Sequence, residues 1–184
     1  MNDVALLVVD MQNDVLNRMV EQGRDIVPAV RKALDYFRIK ELPVVHVVRV
    51  HRPDGADVEL FRKRLFEDRP FLVRGTEGAQ VVEELAPAEG EYVVEKQRFS
   101  AFFQTNLDML LRRLGVRTVV IAGVQTPNCV RATAVDAVCL DYGAVVLSDA
   151  TVAKTPEVHE ANLLDLGNMG VKVMTTLELM RSLR

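Results

Sequence analysis

Two cysteines, three histidines and no tryptophan in 184 residues leave little material for a disulfide framework or a histidine-rich metal centre. The two thiols also sit in unlike settings. Cys129 stands where a polar turn gives way to helical spacing, whereas Cys139 lies in the apolar run Ala137-Val138-Cys139-Leu140 and reads as a small buried hydrophobe. That pattern implies free thiols and a reducing compartment. An excess of one charge is lacking too: 23 Lys and Arg against 26 Asp and Glu give a formal net charge of −3. Such a balance provides no electrostatic basis for binding nucleic acid or an anionic membrane. No apolar run approaches the ~20 residues that a spanning helix requires. The chain enters a strand at once, without the basic-then-apolar layout of a secretion signal, so the expected location is the cytoplasm. Repeats, linkers and low-complexity segments are absent as well. What is abundant is apolar residue, 49% of the chain. That is enough to bury a substantial core, and the length fits one domain over residues 1–184.

Six short apolar runs alternate with stretches of helical spacing. Val4–Val9, Val44–Val48, Tyr92–Glu95, Val119–Ala122, Ala144–Leu147 and Val171–Met174 read as strands. Between them Ile26, Val30, Ala33, Leu34 and Phe37 line one helical face, with Asp25 as N-cap; Leu107, Leu110, Leu111 and Leu114 line another, which stops at Gly115. Short helices are also expected over Val81–Leu85, after Cys129 and around Leu163-Leu164 and Leu177–Met180. Strands apolar throughout are buried on both faces, so the expectation is an α/β fold: a three-layer, doubly wound, Rossmann-like sheet of about six parallel strands with helices on both faces.

The stretch Gly123-Val124-Gln125-Thr126-Pro127-Asn128-Cys129-Val130 carries the chemistry. A cysteine at a helix N-terminus meets unpaired N–H groups and the positive end of the helix dipole, which predicts a lowered thiol pKa and raised nucleophilicity. The same N–H groups can hold an oxyanion. Two other strands end in charge, β-like Val4–Val9 at Asp10 and Tyr92–Glu95 at Lys96. Groups just beyond the carboxyl ends of parallel strands share one crevice, so Asp10, Lys96 and Cys129 are expected to converge. Together they supply a base, an orienting cation and a nucleophile.

Three motifs in this order, Val8-Val9-Asp10-Met11-Gln12-Asn13-Asp14, Lys96-Gln97-Arg98-Phe99-Ser100-Ala101-Phe102 and the cysteine stretch above, resemble the isochorismatase-like superfamily of cysteine hydrolases. That superfamily includes nicotinamidases, N-carbamoylsarcosine amidohydrolase and ureidoacrylate amidohydrolase. The resemblance implies that Asp10, Lys96 and Cys129 are a catalytic triad. It implies a cis peptide between Val124 and Gln125, turning backbone N–H groups of Gln125 or its neighbour, with Cys129, toward the oxyanion. It also implies a homo-oligomer, dimer or tetramer. Isochorismatases that cleave a vinyl ether lack the cysteine, so the expected reaction is hydrolysis of a C–N bond in a small amide, carbamoyl or ureido compound through a thioester.

In the nicotinamidase branch an aspartate and two histidines bind a divalent metal in the region matching residues 49–75. Here His51 and Asp54 are present without a second nearby histidine, so no metal and no cofactor are expected. Gln12, beside Asp10, is a candidate substrate contact or a loop brace. Of Phe99, Phe102 and Phe103, Phe102 is the candidate for the acyl pocket. His46, within a strand, reads as a core histidine, and His159 as exposed. The basic residues of 49–75 read as a solvated, salt-bridged surface. Two other functions remain open at this point: a nicotinamidase with an atypical metal site, and a binding or redox module whose thiol hydrolyses nothing.

Overall fold

The computed structural model describes residues 3–183. All six apolar runs are strands: β1 (Val4–Val9), β2 (Val44–Arg49), β3 (Tyr92–Lys96), β4 (Thr118–Val124), β5 (Gly143–Val152) and β6 (Lys172–Met174). They form one parallel sheet in the order β3-β2-β1-β4-β5-β6. The chain builds outward from β1 to β3, then returns to the other side of β1 to start β4. That reversal opens a crevice between the carboxyl ends of β1 and β4, where open parallel sheets bind ligands.

Alternation along β1 divides the core in two. Val4, Leu6 and Val8 face α1 (Val27–Ile39) and α6 (Thr176–Ser182), packing with Val30, Leu34, Phe37 and Leu179. Ala5, Leu7 and Val9 face the opposite layer, α3 (Leu107–Arg113), α4 (Arg131–Cys139) and α5 (Pro156–Asn168), through Leu107, Leu111, Ala134, Ala137 and Leu166. Each buried Leu or Phe in these layers contributes about 1.5–3 kcal/mol over exposure, and both layers are needed to cover an all-apolar β1. A further short helix, α2 (Lys63–Asp68), lies in the irregular region 49–75. Among the described residues no helix is long and apolar enough to cross a membrane.

Several local expectations differ from what forms. Asp25 does not cap α1, which starts at Val27 after Ile26 with Pro28 in its first turn. Val81–Leu85 gives only a single tight turn at Glu83–Leu85. β5 continues through Ser148-Asp149-Ala150-Thr151 to Val152, with a register shift opposite Ile121–Gly123 that takes up the extra residues. Cys139 is exposed because α4 turns its side away from the layer that holds Ala134 and Ala137. His159 is half-buried rather than exposed, held by Thr126 Oγ1 at 2.8 Å and the Ser148 carbonyl at 3.2 Å. His46 is buried in β2, with Nε2 2.8 Å from Glu91 and Nδ1 without a hydrogen-bond partner among the described residues.

Candidate active site

Four strand ends each deliver one chemically active side chain. Asp10 follows β1, Arg49 closes β2, Lys96 closes β3, and Cys129 lies in the turn Thr126–Val130 that joins β4 to α4. Asp10 has φ 53°, a left-handed conformation that only a few per cent of non-glycine residues adopt. Its backbone is held there by an N–H bond to Val47 O at 2.9 Å and by Gln12 N–H donating to its carbonyl at 2.9 Å. Gly123, with φ 119°, lets β4 pass so close to β1 that an added Cβ would sit 2.1 Å from Val9 O. The peptide bond that follows, Val124–Gln125, is cis.

Lys96 Nζ, fully buried, donates to Asp10 Oδ2 at 2.8 Å, to Arg98 O at 3.2 Å and to Cys129 Sγ at 3.4 Å. Asp10 Oδ1 is buried with no hydrogen-bond partner among the described residues. A carboxylate with one oxygen anchored and the other unpaired is poised to accept a proton. Burial pushes the Cys129 thiol up from its ordinary value, and the Asp10 charge adds to that; Lys96 and Arg49 pull the other way without prevailing. The lowered pKa expected from the helix terminus is therefore overturned. Desolvation of Cys129, a residue only 6% exposed, outweighs the two cations beside it.

Arg49 was not anticipated. The residue is 2% exposed, and its guanidinium bonds to Glu59, donates to Arg98 O at 3.1 Å and stands 3.4 Å from Cys129 Sγ. Arg62 is half-buried, shares Glu59 Oε1 at 3.3 Å, and lies over Phe61 and Phe99. Part of the region read as a solvated basic surface is thus folded over the crevice, with His51 N–H bonded to Leu72 O and Leu72 N–H bonded to Asp14. The signal for Arg49 was available. It is a charged residue that closes an apolar strand, the same mark that singled out Asp10 and Lys96.

Two candidate substrate contacts lie elsewhere. Gln12 is fully buried and every polar atom of its side chain is engaged, Nε2 donating to Arg49 O and Ala79 O, Oε1 accepting from Arg49 N–H. It braces β1 against β2 instead of facing ligand. Phe102 stacks on Tyr142 at 5.8 Å and does not line the cavity, while Phe99 lies beneath Arg49 and Arg62. A cavity of about 50 Å³ is lined by Asp10, Arg49, Arg62, Gln125, Asn128 and Cys129, with Val15, Met19, Val20, Leu72 and Val124 as its apolar wall. Asn128 N–H and Val130 N–H both donate to Gln125 O, closing the turn that presents the cysteine.

The donors for a divalent metal do not fit. Asp54 is exposed and paired with Arg52, while His51 is buried between Phe66 and Phe71. The carboxylates near His51 are Asp57 at 3.4 Å and Glu59 at 4.0 Å, and the second already bonds the Arg49 cation. Among the described residues no group of three or more His, Cys, Asp or Glu is placed to hold a metal ion.

Comparison with known proteins identifies the family and the fold. The isochorismatase domain family matches residues 4–178. The chain belongs to the isochorismatase family. An isochorismatase family protein from Desulfovibrio vulgaris superposes with a TM-score of 0.96 at 45% identity, covering 100% of this chain and 99% of that one. An Arabidopsis thaliana relative named "probable inactive nicotinamidase" is 48% identical, covering 94% of this chain and 92% of its own length. Maleamate amidohydrolase of Pseudomonas putida is 38% identical, covering 98% of this chain and 86% of its own. Relatives of this isochorismatase-family chain thus include hydrolases named for amide substrates.

Proposed function

We propose that this protein is a cysteine amidohydrolase that cleaves the C–N bond of a small amide or carbamoyl compound through a thioester on Cys129. The observation that carries the reading is the buried contact of Lys96 Nζ with both Asp10 Oδ2 and Cys129 Sγ, with Asp10 Oδ1 buried and free of any other partner among the described residues. Asp10 takes the thiol proton as the sulfur attacks the carbonyl carbon, and the electron pair moves to oxygen. Backbone N–H groups of Gln125 and Cys129 are the assigned oxyanion donors. On collapse the C–N bond breaks, the amine leaves with the proton from Asp10, and a thioester remains. Asp10 then takes a proton from water, whose oxygen attacks the thioester; the acid is released and the thiol regains its proton.

A thiol held protonated at rest suits this sequence, because proton transfer accompanies attack instead of preceding it. Lys96 and Arg49 face the sulfur as its negative charge develops, which stabilises the transition state more than the ground state. The donor mismatch around His51 and the name of the Arabidopsis relative both weigh against a nicotinamidase. A redox module would leave the Asp10–Lys96 pair without a task. The site is assigned to a small soluble substrate, and the second-copy assembly expected from family resemblance stays a proposal.

The test is ammonia release across a panel of small amides and ureido compounds, with Cys129→Ala in parallel. Turnover that vanishes in the variant supports the reading. Turnover that survives in it removes Cys129 as nucleophile.

A further inference from the structure

We infer that His159 is a positioning residue for the nucleophile, holding the turn that presents Cys129 through one hydrogen bond to Thr126. This rests on the reading of Cys129 as a thiol that becomes acylated, and it deepens that reading by naming what fixes the turn. Thr126 stands at the joint. It follows Gln125, opens the segment Thr126–Val130 and is fully buried. Its backbone carbonyl accepts from Arg131 N–H, where the turn passes into α4. The two N–H groups assigned to the oxyanion, those of Gln125 and Cys129, lie on either side of it along the chain. A displaced Thr126 therefore misplaces both.

Among the described residues the Thr126 hydroxyl has one partner, His159 Nδ1 at 2.8 Å. The ring is oriented in turn by the Ser148 carbonyl, 3.2 Å from Nε2. A carbonyl oxygen only accepts, so Nε2 carries the hydrogen and Nδ1 of the neutral ring accepts from the threonine hydroxyl. Ser148 falls in the register shift between β4 and β5, outside the residue pairs of that ladder. One directed chain of hydrogen bonds thus runs from the turn, through α5, to β5. The same face of α5 carries two more contacts at spacings of three. Asn162 lies 3.5 Å from Arg131 Nη1, and Asp165 bonds the same guanidinium. Those two act at an exposed edge, where a charge pair contributes little. His159 alone reaches the buried side of the turn. Without its acceptor the Thr126 hydroxyl is left buried and unpaired, and the turn has to shift to satisfy it.

Two reactions of the same thiol, run at alkaline pH, separate alignment from exposure. With 4-nitrophenyl acetate the sulfur attacks the ester carbonyl and an oxyanion forms. Its collapse breaks the C–O bond, releases 4-nitrophenolate and leaves a thioester, the thiol proton having gone to the medium. With iodoacetamide the sulfur displaces iodide and no oxyanion forms. Both rates are taken in Cys139→Ser protein, with Cys129→Ala in that background as the blank, and thermal melting confirms that each variant is folded. His159→Phe and Thr126→Val are each expected to lower the ratio of acylation to alkylation about 10–10²-fold, the scale of a misplaced reacting group. The double variant should lose no more, because both changes remove one bond. Thr126→Ser keeps the hydroxyl and His159→Asn keeps an acceptor, so both should retain most of the ratio. Should His159→Phe fail to fold, the near-isosteric Thr126→Val read against Thr126→Ser decides. A ratio unchanged in the bond-breaking variants, or losses that add in the double variant, overturns the inference and leaves Cys129 an acylated thiol. A parent protein that iodoacetamide labels at Cys129 and the ester does not removes the nucleophile reading and this inference together.

Discussion

At Cys129 two physical effects compete, and the structure shows which one prevails. A helix terminus and two cations favour the thiolate, but near-complete burial beside Asp10 costs more, so the thiol is held protonated. Labelling of the substrate-free protein by iodoacetamide is therefore expected to be slower than labelling of glutathione at neutral pH and to rise through the alkaline range. Fast labelling near pH 6 would contradict this. Asp10→Asn retains the shape of the side chain but loses the proton acceptor, and a kcat loss of about 10²–10⁴-fold is expected with little change in KM. Arg49 is a different case, because its removal leaves the buried Glu59 with only the longer contact from Arg62. Arg49→Met should lower unfolding free energy by about 3–5 kcal/mol in urea titration. A loss below 1 kcal/mol would show that the pair is solvated.

The elements that position these side chains were largely legible in the sequence, and the reason is the same for each. Strands buried on both faces have to be apolar throughout, so a charged residue ending such a run marks a strand terminus at the crevice. Asp10 and Lys96 were found by that mark, and Arg49 was passed over only because its neighbours His51, Arg52 and Asp54 made the segment read as surface. The destinations of Gln12 and Phe102 were not legible, since both depend on contacts with residues far along the chain, Ala79 and Tyr142. β4 gives the sharpest test at this scale. Gly123 has φ 119° and no room for a Cβ against Val9 O. Gly123→Ala should separate β4 from β1 and cost more than about 1–2 kcal/mol. Because β1 carries Asp10 and β4 leads to Cys129, activity should fall further than stability, which ammonia release and thermal melting of the same sample would show.

For the whole molecule, the parallel order β3-β2-β1-β4-β5-β6 collects side chains from residues 10 to 129 into one crevice and surrounds them with apolar layers. Burial on this scale also sets how stability responds to acid. His46 and His51 are pushed below their ordinary value of 6.5, chiefly by burial. A histidine with a depressed folded pKa contributes stability that is present above 6.5 and is lost as pH falls toward its folded value. The melting temperature should therefore drop between pH 6.5 and the acid range, and His51→Phe, which suits the Phe66 and Phe71 surround, should flatten that decline. An unchanged slope would show that His51 does not carry it.

The covalent intermediate is the centre of the account, and hydroxylamine tests it most directly. Added during turnover of an amide substrate, it competes with water for the thioester and diverts product from free acid to hydroxamate. The account predicts hydroxamate formation that rises with hydroxylamine, at undiminished ammonia release, and that disappears in Cys129→Ala. Ammonia release that yields only free acid at saturating hydroxylamine, and that persists in Cys129→Ala, would contradict it.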